Sequence, residues 1–133
     1  MKYLLDTNAC IALLKGSSVT LQDKVETVRN DEVVVPSVVR YELLYGANKS
    51  QSPNQTLALL QRFLNAFPSL SFDDEAAETC GKVRAELERR GTPIGPYDTM
   101  IAAIAITNDL ILVTRNTREF RRVSGLAVEN WEQ

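Results

Sequence analysis

Histidine is absent from the 133 residues. Its absence removes the commonest general base and the commonest transition-metal ligand. Serine–histidine–aspartate and cysteine–histidine machinery are excluded with it. Cysteine is scarce: Cys10 and Cys80 stand far apart and form no CxxC pair, so they read as two buried thiols of a reducing compartment. The six glycines are scattered and form neither GxGxxG nor a phosphate-binding loop. Long apolar runs are missing too. The longest, Met100 to Ile106, is far short of the roughly 20 residues a bilayer requires. Asp6 interrupts the apolar N-terminal stretch, which therefore does not read as a signal peptide. A cytoplasmic protein without a membrane partner is expected.

An excess of positive charge is also lacking. Fifteen Lys and Arg face 17 Asp and Glu, for a net charge of −2 and a pI near 5.2. Proteins that hold nucleic acid chiefly by charge are basic. Diffuse nucleic-acid binding is thus disfavoured, which leaves a local basic patch or a grip on phosphate through a metal. What is present is ordinary for a soluble globular chain: 44% hydrophobic and 24% charged residues. The length implies one domain over residues 1–133. A chain of this size buries about two thirds of its unfolded surface, so neither a disulfide nor a structural metal is needed for stability.

No repeat, low-complexity tract or linker interrupts the chain. Lys2 to Leu5 reads as a strand buried on both faces, as in a parallel sheet. Asp6-Thr7-Asn8 is a cap-rich break before a helix from Ala9 to Lys15. Leu21, Val25 and Val28 give helical spacing to the segment from Val19 to Arg29. Val33 to Val35 is a second strand stopped by Pro36, and Ser37 caps a helix reaching Ala47. Pro53 to Phe67 forms another helix, and Leu70 to Phe72 a brief strand. Asp73 to Arg90 is the clearest helix, with acids at its start, bases in its later turns and a stripe of Ala76, Cys80, Val83 and Leu87, stopped by Gly91. After a turn from Thr92 to Pro96, Asp98 to Thr107 has hardly any polar face and belongs deep in the core. Ile111 to Thr114 is a strand, a short polar and helical segment runs through Phe120, and Leu126 to Val128 is a last edge strand. Short apolar strands alternating with helices predict an α/β sandwich, three layers around a central, mostly parallel sheet. In open sheets of this kind ligands bind outside the carboxyl ends of the strands. Asp6 stands at one such end, and Asn116 just past another.

Most of the acids have ordinary roles as helix starts, solvated faces or turns. Three do not. Glu42 lies at helical spacing from Val38, Val39 and Tyr45 and shares their apolar stripe, where a carboxylate without a partner is costly. Arg40, two positions away, faces elsewhere. Asp98 opens the most apolar helix, where it also reads as a first-turn acid after Pro96. Asp6 ends a buried strand, where it also reads as a helix cap, although Thr7 and Asn8 can fill that role. Clustered carboxylates raise one another's pKa unless a cation sits among them. Oxygen-only donors without histidine suit Mg²⁺ or Mn²⁺ rather than zinc, and such a site can orient a phosphodiester for in-line attack by water.

These residues carry a family resemblance. Leu4-Leu5-Asp6-Thr7-Asn8 resembles the opening motif of PIN-domain nucleases. Tyr41-Glu42-Leu43-Leu44-Tyr45-Gly46-Ala47 resembles their second motif, Pro96-Tyr97-Asp98-Thr99-Met100-Ile101-Ala102-Ala103 their third, and Leu112-Val113-Thr114-Arg115-Asn116-Thr117-Arg118-Glu119-Phe120 their fourth. Order and spacing match over essentially the whole chain, and the small size resembles the VapC toxins of toxin–antitoxin pairs. The resemblance implies a central parallel sheet, Mg²⁺ or Mn²⁺ held by Asp6, Glu42 and Asp98, and endoribonuclease activity. It also implies a homodimer and a cognate antitoxin that occludes the site. The fourth motif departs from the commoner pattern, since Asn116 stands where many members carry Asp. An asparagine offers a carbonyl oxygen without the charge, and Glu119 is a neighbouring source of a compensating carboxylate. Asn here followed by Arg-Glu-Phe resembles a subset that cleaves initiator tRNA in the anticodon stem-loop. Arg115, Arg118, Arg121 and Arg122 crowd the same region and fit contacts to RNA phosphates.

Two other readings fit less well. A phosphatase or phosphoacceptor domain using Asp6 as nucleophile would show Asp-x-Asp, but position 8 is Asn, and no lysine follows the strand at Thr114. A non-catalytic PIN-like module that binds RNA or protein has no need of all three acids.

Overall fold

Strand β1, Tyr3–Leu5, is the axis of the molecule. The computed structural model describes residues 1–133, and in it Leu4 and Leu5 are fully buried. Each such leucine stabilises the fold by roughly 1.5–3 kcal/mol. Helices α1 (Thr7–Lys15) and α2 (Val19–Thr27) follow. A single 3-10 turn at Asn30–Glu32 leads into β2, Val33–Val34. Helices α3 (Ser37–Lys49), α4 (Pro53–Asn65), α5 (Asp74–Arg89) and α6 (Pro96–Thr107) then run in succession. Strand β3 (Ile111–Val113), the single-turn helix α7 (Thr117–Phe120) and β4 (Val128–Glu129) complete the chain.

The four strands form one sheet in the order β2-β1-β3-β4, and every neighbouring pair is parallel. Leu4 pairs with Val34 on one side and Leu112 on the other. The connection from β1 moves outward to β2, and the chain then crosses back over β1 to reach β3. The carboxyl ends of β1 and β3 therefore flank the point where the winding reverses, which is where open α/β sheets form a crevice. Asp6 follows β1 directly, and its N–H donates to the Val113 carbonyl at 3.2 Å, extending the ladder to the crevice floor.

The helices behave as their sequences dictate. In α6, residues Ile101 to Ala105 are all completely buried, as an all-round apolar helix requires. Pro96 occupies its first turn, where the missing N–H has no intrahelical partner to lose. Helix α5 packs along α6, and α4 along α3. Asp73 caps α5, its side chain accepting the Ala76 N–H at 2.9 Å, and Gly91 ends the segment at φ +70°, a conformation glycine adopts without a Cβ penalty.

Three sequence expectations need correction. Leu70 to Phe72 is not a strand; its main structural contribution is the Leu70 carbonyl, which accepts the Ser37 N–H at 2.9 Å. Ser37 is not a cap but the first residue of α3, whose cap position is Pro36 with no side-chain bond. The stripe of α5 is deeply buried only at Ala76 and Leu87, while Cys80 and Val83 are half-buried. Cys10 is fully buried and Cys80 is not, and both are free thiols. No helix is long and apolar enough to cross a membrane.

Candidate active site

Asp6 is held at the end of β1 by two demands at once. It caps α1, Oδ1 accepting the Ala9 N–H at 2.8 Å, and it is 4% exposed. Burial pushes its pKa above 3.8, while the Thr114 hydroxyl beside it and the Ala9 N–H pull it back. Of the two readings the sequence left for Asp6, the helix cap is thus realised, and neither Thr7 nor Asn8 takes that role. Thr7 does something else: its hydroxyl donates to Glu42 Oε1 at 2.6 Å.

Glu42 differs from its sequence reading. It is half-buried, and Tyr45, its neighbour on the supposed apolar stripe, is exposed. The side of α3 bearing Glu42 lies at the rim of the crevice rather than inside the core. Its partner is a neutral hydroxyl, not a cation. Arg40 is fully engaged elsewhere, donating to the carbonyls of Val35 at 2.7 Å and Phe67 at 3.0 Å. It joins the end of β2 to the carboxyl end of α4, where a cation also suits the helix dipole.

Asp98 sits in the first turn of α6, half-buried. Its carboxyl is pushed up to about 6, first by burial and then by the charges of Asp6, Glu42 and Glu119. Four acids from four segments of the chain therefore act on one region. None of them belongs to an ion pair; the three salt bridges of the molecule lie on its exposed surface. The one compensating charge that acts on Asp6 is Arg115, its weakest influence.

Asn116 follows β3. Its N–H donates to Thr114 Oγ1 at 2.9 Å, and its side-chain Nδ2 donates to Glu119 Oε2 at 2.8 Å. The amide and the acid form a unit, with Glu119 oriented so that its charge reaches Asp98. Arg115, Arg118 and Arg121 nearby are exposed. Arg122 is partly committed to the fold, donating to the Pro93 carbonyl at 3.1 Å.

Thr7 and Thr114 were invisible as site residues in the sequence, because a threonine at a strand end has many ordinary uses. Glu132, whose charge also raises the Asp6 pKa, gave no signal because it lies far away in the chain.

The donor chemistry fits a hard divalent cation: oxygen donors only, excess negative charge and no competing base. No three of the acidic or thiol side chains close on a single point tightly enough to enclose an ion unaided.

Comparison with known proteins gives a consistent result. The PIN domain family pattern matches residues 3–126. The chain is 43% identical over 131 residues to the "tRNA(fMet)-specific endonuclease VapC" of Shigella flexneri, covering 98% of each. It is 40% identical to the protein of that name from Salmonella typhimurium, again over 98% of both. Among solved structures, a DNA-bound VapBC from Salmonella typhimurium superposes with a TM-score of 0.93 at 40% identity, covering 98% of both chains. VapBC2 from Rickettsia felis, bound to a promoter DNA fragment, gives 0.92 at 34% identity, with 98% of this chain and 99% of that one covered.

Proposed function

The chain belongs to the PIN-domain family, among its VapC ribonucleases, and on that premise we propose that it is the toxin of a toxin–antitoxin pair. In this reading it is a divalent-metal-dependent endoribonuclease that cleaves tRNA, with the anticodon stem-loop of initiator tRNA as its substrate. The observation that carries the reading is that Asp6, Glu42 and Glu119, none of them paired with a cation, bear on the half-buried Asp98, whose carboxyl is pushed up to about 6 by burial first and by these charges second. Such an arrangement is unfavourable in the empty protein and favourable once a cation is bound.

Asp6, Glu42 and Asp98 hold the cation, Mg²⁺ or Mn²⁺, with Glu119 as a further carboxylate. When bound, the cation supplies positive charge against the phosphate and activates water for in-line attack. The protein's own groups do the positioning. Thr7 orients Glu42, the Ala9 N–H and Thr114 orient Asp6, and the Asn116 amide orients Glu119. Asn116 thus acts through Glu119, restoring the charge that an asparagine at this position lacks. Arg115, Arg118 and Arg121 contact phosphates of the RNA and fix its register.

The chain works as one domain over residues 1–133, in the cytoplasm and as a homodimer. Its cognate antitoxin covers the site. An apolar groove of about 560 Å³ is lined by Ile11, Leu14, Leu43, Leu59 and Leu60, with Glu42 also in its wall. A partner segment with an apolar face would fill it and approach the acids. Cleavage of purified initiator tRNA with Mg²⁺ or Mn²⁺ tests the reading. New 5′ ends in the anticodon loop are expected from the wild type and not from Asp98→Asn. Undiminished cleavage in excess EDTA would overturn the metal mechanism.

A further inference from the structure

Two aromatic side chains stand at the site without a part in the chemistry above. Tyr41 and Tyr97 are 52% and 43% exposed. Each immediately precedes an acid of the cluster, Glu42 in α3 and Asp98 in α6. Although they come from different helices, their rings meet, with centroids 5.6 Å apart and planes tilted by 59°. The hydroxyl of Tyr97 lies 3.4 Å from that of Tyr41.

A single exposed apolar side chain needs no explanation. Two that pair across separate helices form a continuous aromatic surface bordering the acids, close enough for the charge of Glu42 to act on Tyr41. The tilted contact fills the space between the rings, so a planar group cannot insert there. Both residues remain about half exposed to water. Contacts to phosphate carry no sequence information, and a chain of net charge −2 gains little from diffuse attraction. An unpaired base, in contrast, stacks on an aromatic face, which is worth roughly 5- to 150-fold in affinity.

We propose that Tyr41 and Tyr97 form a stacking platform for an unpaired base beside the scissile phosphate, and that this platform selects single-stranded positions of the RNA. The proposal rests on the nuclease reading given above. The tyrosine hydroxyls are dispensable in it, since stacking requires only the rings.

The test uses the initiator-tRNA anticodon stem-loop carrying 2-aminopurine at each unpaired position in turn, bound to Asp98→Asn protein so that cleavage does not intervene. Fluorescence at one or two loop positions should be quenched on binding. Tyr41→Leu and Tyr97→Leu in that background should remove the quench and weaken binding 5- to 150-fold, and the Phe substitutions should stay within about threefold. With Asp98 restored, the same Leu variants should hydrolyse bis(p-nitrophenyl) phosphate, a phosphodiester with no base, at the wild-type rate. A quench that survives both Leu substitutions overturns the platform. So does the absence of quench at every loop position, an equal loss on the base-free substrate, or a change of oligomeric state by sedimentation. If the wild type cleaves neither substrate with Mg²⁺ or Mn²⁺, the nuclease reading fails, and the quench still decides the platform separately.

Discussion

Replacing Asp98 by Asn should make the metal-free protein more stable while abolishing its activity. In the unfolded chain the carboxyl titrates near 3.8, and in the folded protein at about 6. Between these values the folded state binds more protons than the unfolded one. Stability contributed by this group is therefore present below about pH 4, falls as pH rises through that window, and is fully lost above about 6. If wholly realised, the difference amounts to about 3 kcal/mol against the native state at neutral pH. Asp98 is only half-buried, and screening by water on its open side reduces this to roughly 1–2 kcal/mol. Its carboxylate gains about 0.5 kcal/mol from the start of α6, which asparagine forgoes. The net expectation for Asp98→Asn is a gain of about 1 kcal/mol at pH 7.5 in EDTA, or a Tm higher by about 3 °C. At pH 4 the two proteins should melt together. Circular-dichroism melts at both pH values, with and without Mg²⁺, measure the effect, and Mg²⁺ should raise the Tm of the wild type more than that of the variant. A lower Tm for Asp98→Asn in EDTA at pH 7.5, or a difference that does not change with pH, would refute the electrostatic account and make Asp98 a structural first-turn acid.

Asp6 should separate its two roles by substitution: Asn keeps the cap on α1 and Ala loses it at a cost of about 1 kcal/mol, while both abolish cleavage. Equal melting temperatures for the two variants would remove the cap from the account. Glu42→Leu should cost less than about 1 kcal/mol, since its partner is the neutral and half-exposed hydroxyl of Thr7, and it should eliminate cleavage of the tRNA. Destabilisation of several kcal/mol with near-normal cleavage would contradict that assignment. Arg40→Met should lower stability by about 2–3 kcal/mol in urea melts, because it strands carbonyls at the ends of β2 and α4, and activity of the folded fraction should be unchanged.

Much of the fold was legible because the relevant signals are local. The apolar runs of β1, β2 and β3 have no alternative to a doubly covered sheet, and α6 has too few polar positions for any surface. The alternation of these elements set the class, and the class located the crevice to which Asp6 and Asn116 belong. Leu70 to Phe72 misled because three apolar residues resemble a strand whether or not an edge is available to pair with. Here the segment is needed to receive the amide of Ser37, which α3 leaves without an intrahelical partner.

Glu42 and Glu119 show the limit more sharply. Helical spacing marked Glu42 as inward-facing, but spacing fixes only an angle about the helix axis. Whether that direction meets core or crevice depends on how α3 lies against its neighbours, and Tyr45 on the same side is in water. Glu119 was legible only as a neighbouring carboxylate, because its placement is relational. A four-residue helix directly after β3 brings it within reach of the Asn116 amide, and that bond directs its charge toward Asp98. Asparagine at position 116 then ceases to be a weakened acid. It is a donor, and its bond to Glu119 holds a second carboxylate whose charge bears on Asp98. An aspartate there would face Glu119 across the same short distance as a like charge. On the function proposed above, the departure from the commoner motif and the acid three residues later belong together: the carboxylate stands one turn along, on α7, and the Asn116 amide holds it by a 2.8 Å bond.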